Sequence, residues 1–340
     1  MDNTIVVRFS GGQQSGHTVK IGKQMHTHSN FGAGSLRGKP SYFSEHCTMY
    51  PVTMMRERKV LIEKTGHLPK VYYHPMTMVT TPFDRYANRN CEETKEHGTC
   101  GLGIGKTMKR NEGPLKLYAI DLINEGVVLD KLASITEYYM GTNGNLDDWL
   151  GDELVEWWEA VKTMPKFIAD YSFLNNYSNI IFEGSQGVLL DMTHGNFPFV
   201  TYSNTTSKNA QEICNKLGIG DRTVYHITRA YSTRHGNGPF EQKAIKLKNN
   251  EDENCTFNEW QGDFKVAPMN YNLLNYAIAV ENIYSSGCKR VLVVTCNDQV
   301  EVPFDMNKLT VGYDKVLKSN SPISEKMLVH ERMSNINLED

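Results

Sequence analysis

Residues Ser10 to Thr18 form the first segment whose composition suggests chemistry. They read Ser-Gly-Gly-Gln-Gln-Ser-Gly-His-Thr and follow an apolar run. Glycines let the backbone approach a ligand closely and point N–H groups at an anion. His17, near the end of the segment, can act as an acid or a base near neutral pH. Taken alone, this segment is better explained as a tight turn with a solvent-facing histidine.

A second glycine-rich segment, residues 98–107, ends in Gly-Lys-Thr, as a phosphate-binding P-loop does. The P-loop pattern needs a glycine five residues before its Gly-Lys, and Cys100 stands there, so the pattern fails. Thr99 together with Lys106, Lys109 and Arg110 still predicts a phosphate clamp. A flexible turn is the alternative.

The longest polar segment runs from Glu183 to Thr206 and is punctuated by glycines. Its donors and acceptors suit a purine and a phosphate. The sequence around Ser185 is Gly-Ser-Gln-Gly, which lacks the Gly-x-Ser-x-Gly spacing, so a serine hydrolase is excluded. A fourth segment, Thr233 to Phe240, is again polar and rich in glycine.

Apolar, β-branched runs alternate with helical periodicity along the chain, which predicts one α/β domain over residues 1–340. We expect a mostly parallel central sheet with flanking helices. Strands are predicted at 5–9, 71–74, 179–182, 224–230 and 290–295, and helices at 147–161 and 272–284. Ligands bind beyond the carboxyl ends of such strands, so the loops at 10–18, 183–206, 231–240 and 295–299 are the places for a site.

Composition narrows the function classes. Hydrophobic residues make up 39% and charged residues 22% of the 340 residues, and the net charge is -3. These values exclude a fibrous or disordered chain and do not favour nucleic-acid binding. No apolar run is long enough for a membrane span and no signal peptide is recognisable, so we expect a cytoplasmic protein. The seven cysteines form no Cys-x-x-Cys pair, which argues against a zinc ribbon.

Together, the four segments resemble those of the adenylosuccinate synthetase family, in the same order between residues 6 and 240. The block at 183–206, Glu-Gly-Ser-Gln-Gly-Val-Leu-Leu-Asp followed by His-Gly-Asn-Phe-Pro-Phe-Val-Thr-Tyr-Ser-Asn-Thr-Thr, is nearly complete. The resemblance implies the fold of that family and a homodimer. It also implies a ligase that uses Mg²⁺ and GTP or ATP to phosphorylate the 6-oxygen of a purine nucleotide, IMP or (d)GMP. An amino acid, expected to be aspartate, then displaces the phosphate; a phage branch uses dGMP.

The resemblance also implies roles for individual residues. His17 donates a proton to the developing oxyphosphate, Gln186 binds the 6-oxygen edge of the purine, and the Gly16 carbonyl contacts Mg²⁺. The other residues implied to bind substrate are Gln14, Thr99, Cys100 and Thr201 at the phosphate, Arg234 in the nucleotide pocket, and Arg110 as the arginine sent into a neighbouring subunit.

Three departures from the family leave alternatives open. The family's Gly-Asp-Glu-Gly-Lys-Gly-Lys loop, which precedes the segment at Ile5, is not found in this sequence. The arginine-rich aspartate loop corresponds to Trp260–Val266, where Lys265 is the cation and Asp263 would repel a dicarboxylate. The Thr-Lys-x-Asp that pairs with guanine becomes Thr-Cys-Asn-Asp, so Asp298 binds the base or makes a simple loop turn.

Three explanations therefore compete. The sequence is truncated, or it is a diverged ligase with another amine donor, or it is a non-catalytic paralogue that binds a purine nucleotide. A kinase built on Lys106 is a further, weaker alternative, because of the P-loop spacing.

Overall fold

The computed structural model describes residues 3–91, 98–143, 148–241, 243, 245–248, 257–321 and 327–331. Asp147, the predicted first residue of a helix, lies outside these residues. So does Cys255, one of the seven cysteines. The strands are Thr4–Arg8 (β1), His17–Ile21 (β2), Gln24–His28 (β3), Ser41–Phe43 (β4), Thr48–Met49 (β5), Val71–Tyr73 (β6), Met78–Val79 (β7), Asn179–Glu183 (β8), Thr223–Arg229 (β9), Ser232–Arg234 (β10), Phe257–Asn258 (β11), Gly262–Asp263 (β12), Lys265–Ala267 (β13), Lys289–Thr295 (β14), Lys315–Ser319 (β15) and Met327–Glu331 (β16).

The α-helices occupy the intervals between these strands. Their bounds are Pro51–Thr65 (α1), Pro82–Asn90 (α2), Ile104–Glu112 (α3), Glu125–Asn143 (α4), Asp148–Thr163 (α5), Lys208–Lys216 (α6) and Tyr271–Tyr284 (α7). Every strand and helix predicted above is present, with ends shifted by one or two residues. The α/β class with parallel strands is therefore confirmed.

The first sheet has the strand order β6-β4-β1-β8, and all its pairs are parallel. β1, Thr-Ile-Val-Val-Arg, is buried along its whole length, as expected for a central strand covered on both faces. Helices α1, α2 and α5 pack together, and their core includes the fully buried Trp157. This region contains the largest apolar core of the described chain.

The second sheet has the order β16-β15-β14-β9. β14 pairs in parallel with both β9 and β15, while β16 adds an antiparallel edge. A separate, smaller core with Leu292 and Val294 packs behind it.

Within the described residues, the strands are thus divided between two four-stranded sheets and four two-stranded ones, where the sequence predicts one central sheet. β8 and β9 are the facing edge strands, and within the described residues neither has a partner on its outer side. Ile181, Tyr225 and Ile227 are exposed along these edges. In the same described residues, no helix is both long and apolar enough to span a membrane.

A hairpin, β2 paired with β3, follows the first glycine-rich segment, and the sequence analysis missed it. His-Thr-Val-Lys-Ile and Gln-Met-His-Thr-His are joined by Gly22 and Lys23, and Gly22 has the positive φ of 57° that a tight hairpin turn requires. In the hairpin His17 pairs across from His28, and Val19 from His26. His17 is therefore on a strand and not in a loop.

Candidate functional site

A large cavity of about 2570 Å³ lies between the two four-stranded sheets; it runs along the whole length of the edge strands β8 and β9 and includes residues of the loops that follow β1, β8 and β9. It exceeds the roughly 300–1,000 Å³ of an ordinary small-molecule pocket, so it has room for more than one ligand. The predicted site residues that line it are Gln14, Gly16, His17, Thr99, Cys100, Gln186, Thr201 and Arg234. Arg110 and Asp298 are not among its lining residues.

His17 forms a hydrogen-bonded pair with Glu183 at the cavity wall. The His17 Nδ1 and Glu183 Oε1 atoms are 2.8 Å apart, and their side chains are 23% and 16% exposed. The other carboxylate oxygen accepts the Ala33 backbone N–H at 2.9 Å. Burial opposes the charge on Glu183, but His17 and Arg8 outweigh it and lower the pKa of that carboxyl. An anionic Glu183 orients the imidazole and stabilises an imidazolium once it forms, which suits proton transfer by His17.

Arg8, the last residue of β1, stands directly behind this pair, and the sequence analysis did not single it out. Its guanidinium is buried and donates to Ser15 Oγ and, at 3.0 Å, to Ser185 Oγ. The two serine hydroxyls are 2.8 Å apart, so Arg8 joins the first and third polar segments. A charged residue that ends an apolar strand run was the signal that could have revealed it.

Gln14 and Gln186 bring two side-chain amides together over Gly11. Both ends of the Gln14 amide and the Gln186 oxygen are buried without a hydrogen-bond partner. A Cβ at Gly11 would lie 2.9 Å from Gln14 Nε2 and 3.1 Å from Gln186 Oε1, and the φ of +69° at Gly11 also favours glycine. Buried polar atoms without partners are rare in native proteins, so these amides are set to bind a polar ligand.

The second glycine-rich segment forms another wall of the cavity. Thr99 donates to Asn88 Oδ1 at 3.2 Å, and burial raises the pKa of the Cys100 thiol, which keeps it neutral. The Trp260 ring covers Gly101, where a Cβ would lie 2.8 Å from the ring. Lys106 and Lys109, on α3, also line the cavity and supply positive charge.

Thr201 and Arg234 come from the third and fourth segments. The Thr201 N–H donates to Leu190 O at 2.7 Å. Arg234 Nε donates to Asn237 O at 2.9 Å, which folds the loop back on itself. Burial lowers the pKa of Arg234. Both residues line the cavity, but the Arg234 guanidinium already donates hydrogen bonds to the backbone carbonyls of Asn237 and Phe199.

Arg110 is the residue whose placement departs furthest from the sequence analysis. Its side chain is 1% exposed and forms a two-point ion pair with Asp84, each contact 2.9 Å long. It also donates to Leu115 O at 2.7 Å and to Val79 O at 2.8 Å. A guanidinium held this way inside its own subunit cannot extend into a neighbour, so we withdraw Arg110 as the intersubunit arginine.

Asp298 and the Trp260–Val266 segment occupy different positions. Asp298 follows β14, and its Oδ2 accepts from Gln299 Nε2 at 2.8 Å, outside the cavity lining. Gln261 and Phe264 do line the cavity, while Lys265 Nζ donates to Gly236 O at 3.2 Å. The segment that corresponds to an aspartate loop therefore borders the cavity.

The residues around Gly16 do not make a complete Mg²⁺ site. Mg²⁺ favours an octahedron of oxygens that includes carboxylates, phosphates and water. Gly16 lines the cavity and offers one carbonyl, but the nearby Glu183 carboxylate already contacts His17, Ala33 and Arg8. Any Mg²⁺ here would need most of its ligands from a nucleotide and water.

Comparison with known proteins connects this geometry to one family. A family model described as adenylosuccinate synthetase matches residues 1–266. The adenylosuccinate synthetase of Halobacterium salinarum is 31% identical over 262 residues, which cover 69% of this chain and 59% of that protein. That of Synechocystis sp. is 32% identical over 259 residues, which cover 69% and 56%. The chain thus spans less than two thirds of the length of these relatives.

Solved structures give the same fold. Adenylosuccinate synthetase from Plasmodium falciparum superposes with a TM-score of 0.70 and 18% identity, over 97% of this chain and 81% of that one. The cyanophage S-2L succinoaminodeoxyadenylate synthetase, solved with dGMP and with dATP as energy donor, gives a TM-score of 0.63 and 14% identity, over 96% and 87%.

Proposed function

The chain belongs to the adenylosuccinate synthetase family, and from that premise we propose that it is a purine nucleotide ligase that forms a C–N bond at the expense of a nucleoside triphosphate. Phosphoryl transfer from GTP or ATP to the 6-oxygen of the purine forms an O–P bond and releases the diphosphate. An amine then attacks C6, and inorganic phosphate leaves with the former 6-oxygen. Aspartate is the expected amine, and IMP or (d)GMP the expected acceptor.

The observation that carries this proposal is that one cavity contains both side-chain amides without hydrogen-bond partners and a hydrogen-bonded histidine–carboxylate pair. Gln186 and Gln14 line the cavity with amide atoms that have no protein partner. These atoms can hydrogen-bond the polar edge and the phosphate of a nucleotide. His17 lies in the same wall, with Nδ1 held by Glu183. As the family resemblance implies, we assign the other ring nitrogen, Nε2, to donation of a proton to the developing oxyphosphate.

Substrate phosphate binding is assigned to the second wall. Thr99, Cys100 and Thr201 offer neutral donors, and Lys106 and Lys109 add charge without the rigid geometry of an arginine fork. Mg²⁺ would arrive with the triphosphate and neutralise its charge. As the family resemblance implies, we propose a homodimer in the cytoplasm; light scattering of the purified chain measures its mass directly.

Two observations favour a second candidate, a protein that binds a purine nucleotide without turnover. Glu183 is already engaged beside Gly16, and the segment bordering the cavity carries Asp263 beside Lys265. A dicarboxylate would meet repulsion there, so a neutral or smaller amino acid is the alternative donor if turnover occurs.

Mass spectrometry of reaction mixtures tests the proposal. The purified chain is incubated with Mg²⁺, GTP or ATP, aspartate or a mixed amino-acid pool, and IMP or dGMP. An adduct of purine and amino acid is expected, and its mass identifies both substrates. dAMP is the substrate control, because it has no 6-oxygen to phosphorylate.

His17→Ala, purified in the same way, is the enzyme control and also excludes a contaminating host synthetase. General acid–base catalysis is worth about 10²–10⁴-fold, so its turnover should fall by that factor while dGMP or IMP still binds. A variant as active as the parent would remove His17 from the mechanism. Nucleotide binding by the parent chain without adduct or phosphate release would establish the second candidate.

A further inference from the structure

A buried cluster of metal-ligating side chains lies beside the cavity, on the same β2–β3 hairpin as His17. His26 and His28 come from β3, and Glu57 comes from α1. One ligand atom from each residue lies within 4.8 Å of the other two, and all three residues are buried. None of the three lines the cavity, so the cluster is separate from the proposed ligase site.

The two separations to Glu57 are close to those of ligands around one ion. His26 Nε2 is 3.4 Å from Glu57 Oε1, and His28 Nδ1 is 3.6 Å from the same oxygen. Strong N–H···O hydrogen bonds are about 2.7–3.2 Å long, so these contacts are poor hydrogen bonds. Two ligands that sit at about 2.0–2.2 Å from a tetrahedral zinc ion are about 3.4 Å apart, which matches both distances.

His28 supplies independent evidence. Its side chain is fully buried, and Nε2 has no hydrogen-bond partner. Nδ1 has only long contacts, to Ser35 Oγ at 3.4 Å and to Glu57 at 3.6 Å. Burying polar groups without satisfying them is unfavourable, and buried side chains of this kind are rare. A metal ion shared with Glu57 would bind Nδ1, the ring nitrogen that faces Oε1, in place of the long contact with Ser35 Oγ.

Glu57 is oriented for the two imidazoles by its other oxygen. Oε2 accepts three hydrogen bonds, from Ser29 N at 3.2 Å, Asn30 N at 2.7 Å and Asn30 Nδ2 at 2.8 Å. These three hydrogen bonds hold the carboxylate with Oε1 turned to the histidines, as metal ligands are held by their surroundings.

From this geometry we propose that His26, His28 and Glu57 bind one divalent transition-metal ion of the zinc class. Two imidazoles and one carboxylate suit Zn²⁺ or Co²⁺, whereas Mg²⁺ and Ca²⁺ prefer all-oxygen sites. The ion would fasten the hairpin to α1. Because the site is buried, its role is structural and not catalytic.

Lys64 competes with the ion and sharpens the test. Its Nζ donates to Met25 O at 2.7 Å and lies 3.3 Å from His26 Nδ1. Binding of a metal at Nε2 places the ring proton on Nδ1, which then faces the ammonium group. Removal of that ammonium, as in Lys64→Met, should therefore tighten metal binding.

The experiment uses the full chain, stripped with a chelator, desalted and titrated with Co²⁺ alone and then Zn²⁺ alone. We expect one equivalent of Co²⁺ with the intense visible absorption of a four-coordinate site, displacement by Zn²⁺, and a higher Tm with either ion. Glu57→Gln and His28→Ala should each weaken binding by about 10–100-fold or more. Circular dichroism verifies that each variant is folded.

Two histidine variants make the result specific. His67→Ala removes an exposed imidazole just beyond α1 and should bind Co²⁺ as the parent does. His235→Ala removes a cavity-lining imidazole from another segment and should also bind normally, which separates this site from the cavity. Loss of Co²⁺ binding in His235→Ala, or binding unaffected in folded Glu57→Gln and His28→Ala, would overturn the proposal. So would weaker binding in Lys64→Met, or no stoichiometric binding by the parent.

Discussion

The cavity wall and the layer buried behind α2 differ in how fully their buried polar side chains are hydrogen-bonded. At the cavity wall, the buried amide atoms of Gln14 and Gln186 have no partners. In the buried layer, the Arg110 guanidinium contacts both oxygens of Asp84 and two backbone carbonyls. Tyr139 and Thr81 add hydrogen bonds to the same carboxylate.

This contrast teaches that closeness to a motif does not distinguish a binding residue from a structural one, whereas hydrogen-bond satisfaction does. An unmade hydrogen bond at a cavity wall can be completed by a ligand, while a completed buried network stabilises the fold. The cluster of His26, His28 and Glu57 is buried like Arg110, but one of its atoms, His28 Nε2, lacks a partner as the Gln14 amide does. It therefore stands between the two cases, as a proposed metal site would.

The largest expected effect is a loss of stability when the buried Arg110–Asp84 network is broken. Arg110→Ala leaves Asp84 charged, buried and unpaired, so the free energy of unfolding should fall by about 3–5 kcal/mol. Chemical denaturation measures this change. Arg234→Ala is the matched control at the cavity wall, and its stability should stay within about 1 kcal/mol of the parent. A stable Arg110→Ala with weakened dGMP or IMP affinity would break the comparison and return Arg110 to the site.

The next effect is on the cavity side and uses two adjacent glutamines. Gln14→Ala should weaken dGMP or IMP binding by up to about tenfold, the worth of about one hydrogen bond, with little change in stability. Gln13 is buried and already donates to Leu102 O at 3.0 Å. Gln13→Ala should therefore lower the Tm more than Gln14→Ala does. Calorimetric titration measures the nucleotide affinity of both variants, and thermal melts measure their Tm. A larger loss of affinity in Gln13→Ala together with a larger loss of Tm in Gln14→Ala would contradict the comparison.

The smallest effect concerns pH. Glu183 has a lowered pKa in the folded state, so it stabilises the fold above its ordinary pKa of 4.5, and this contribution is lost as the pH falls through the folded-state pKa. Unfolding free energies of the parent and Glu183→Gln should therefore converge in acid and separate towards neutral pH. Parallel curves would show that His17 and Arg8 do not stabilise this carboxylate.

The fold was predictable where the chain signals it locally. The apolar runs that became β1, β8, β9 and β14 and the periodic helices α5 and α7 follow from residue order alone. The division into two sheets was not, because strand order depends on contacts between distant segments. The β2–β3 hairpin was missed although Gly22-Lys23 between two β-rich runs is a turn signal.

The site was predictable to the extent that loops after parallel strands converge. That rule placed Gln186 and Thr201 at one cavity, which His17 also lines although it begins strand β2. It failed for Arg110, whose partner Asp84 lies one helix earlier, because spacing does not reveal which face of α3 is buried. His26 and His28 alternate as residues on one face of a strand do, but Glu57 joins them only through packing of α1.

The facing edges of β8 and β9 have a consequence for self-association. Strand edges with unpaired backbone groups template pairing with other chains, and proteins often blunt them with lysine or proline inside the strand. β8 reads Asn-Ile-Ile-Phe-Glu and β9 reads Thr-Val-Tyr-His-Ile-Thr-Arg, so neither has that protection. Both edges instead lie in the cavity wall. Ile181, Tyr225 and Ile227 are nevertheless more than half exposed there, so the cavity is also where an added extended segment would pair with this chain.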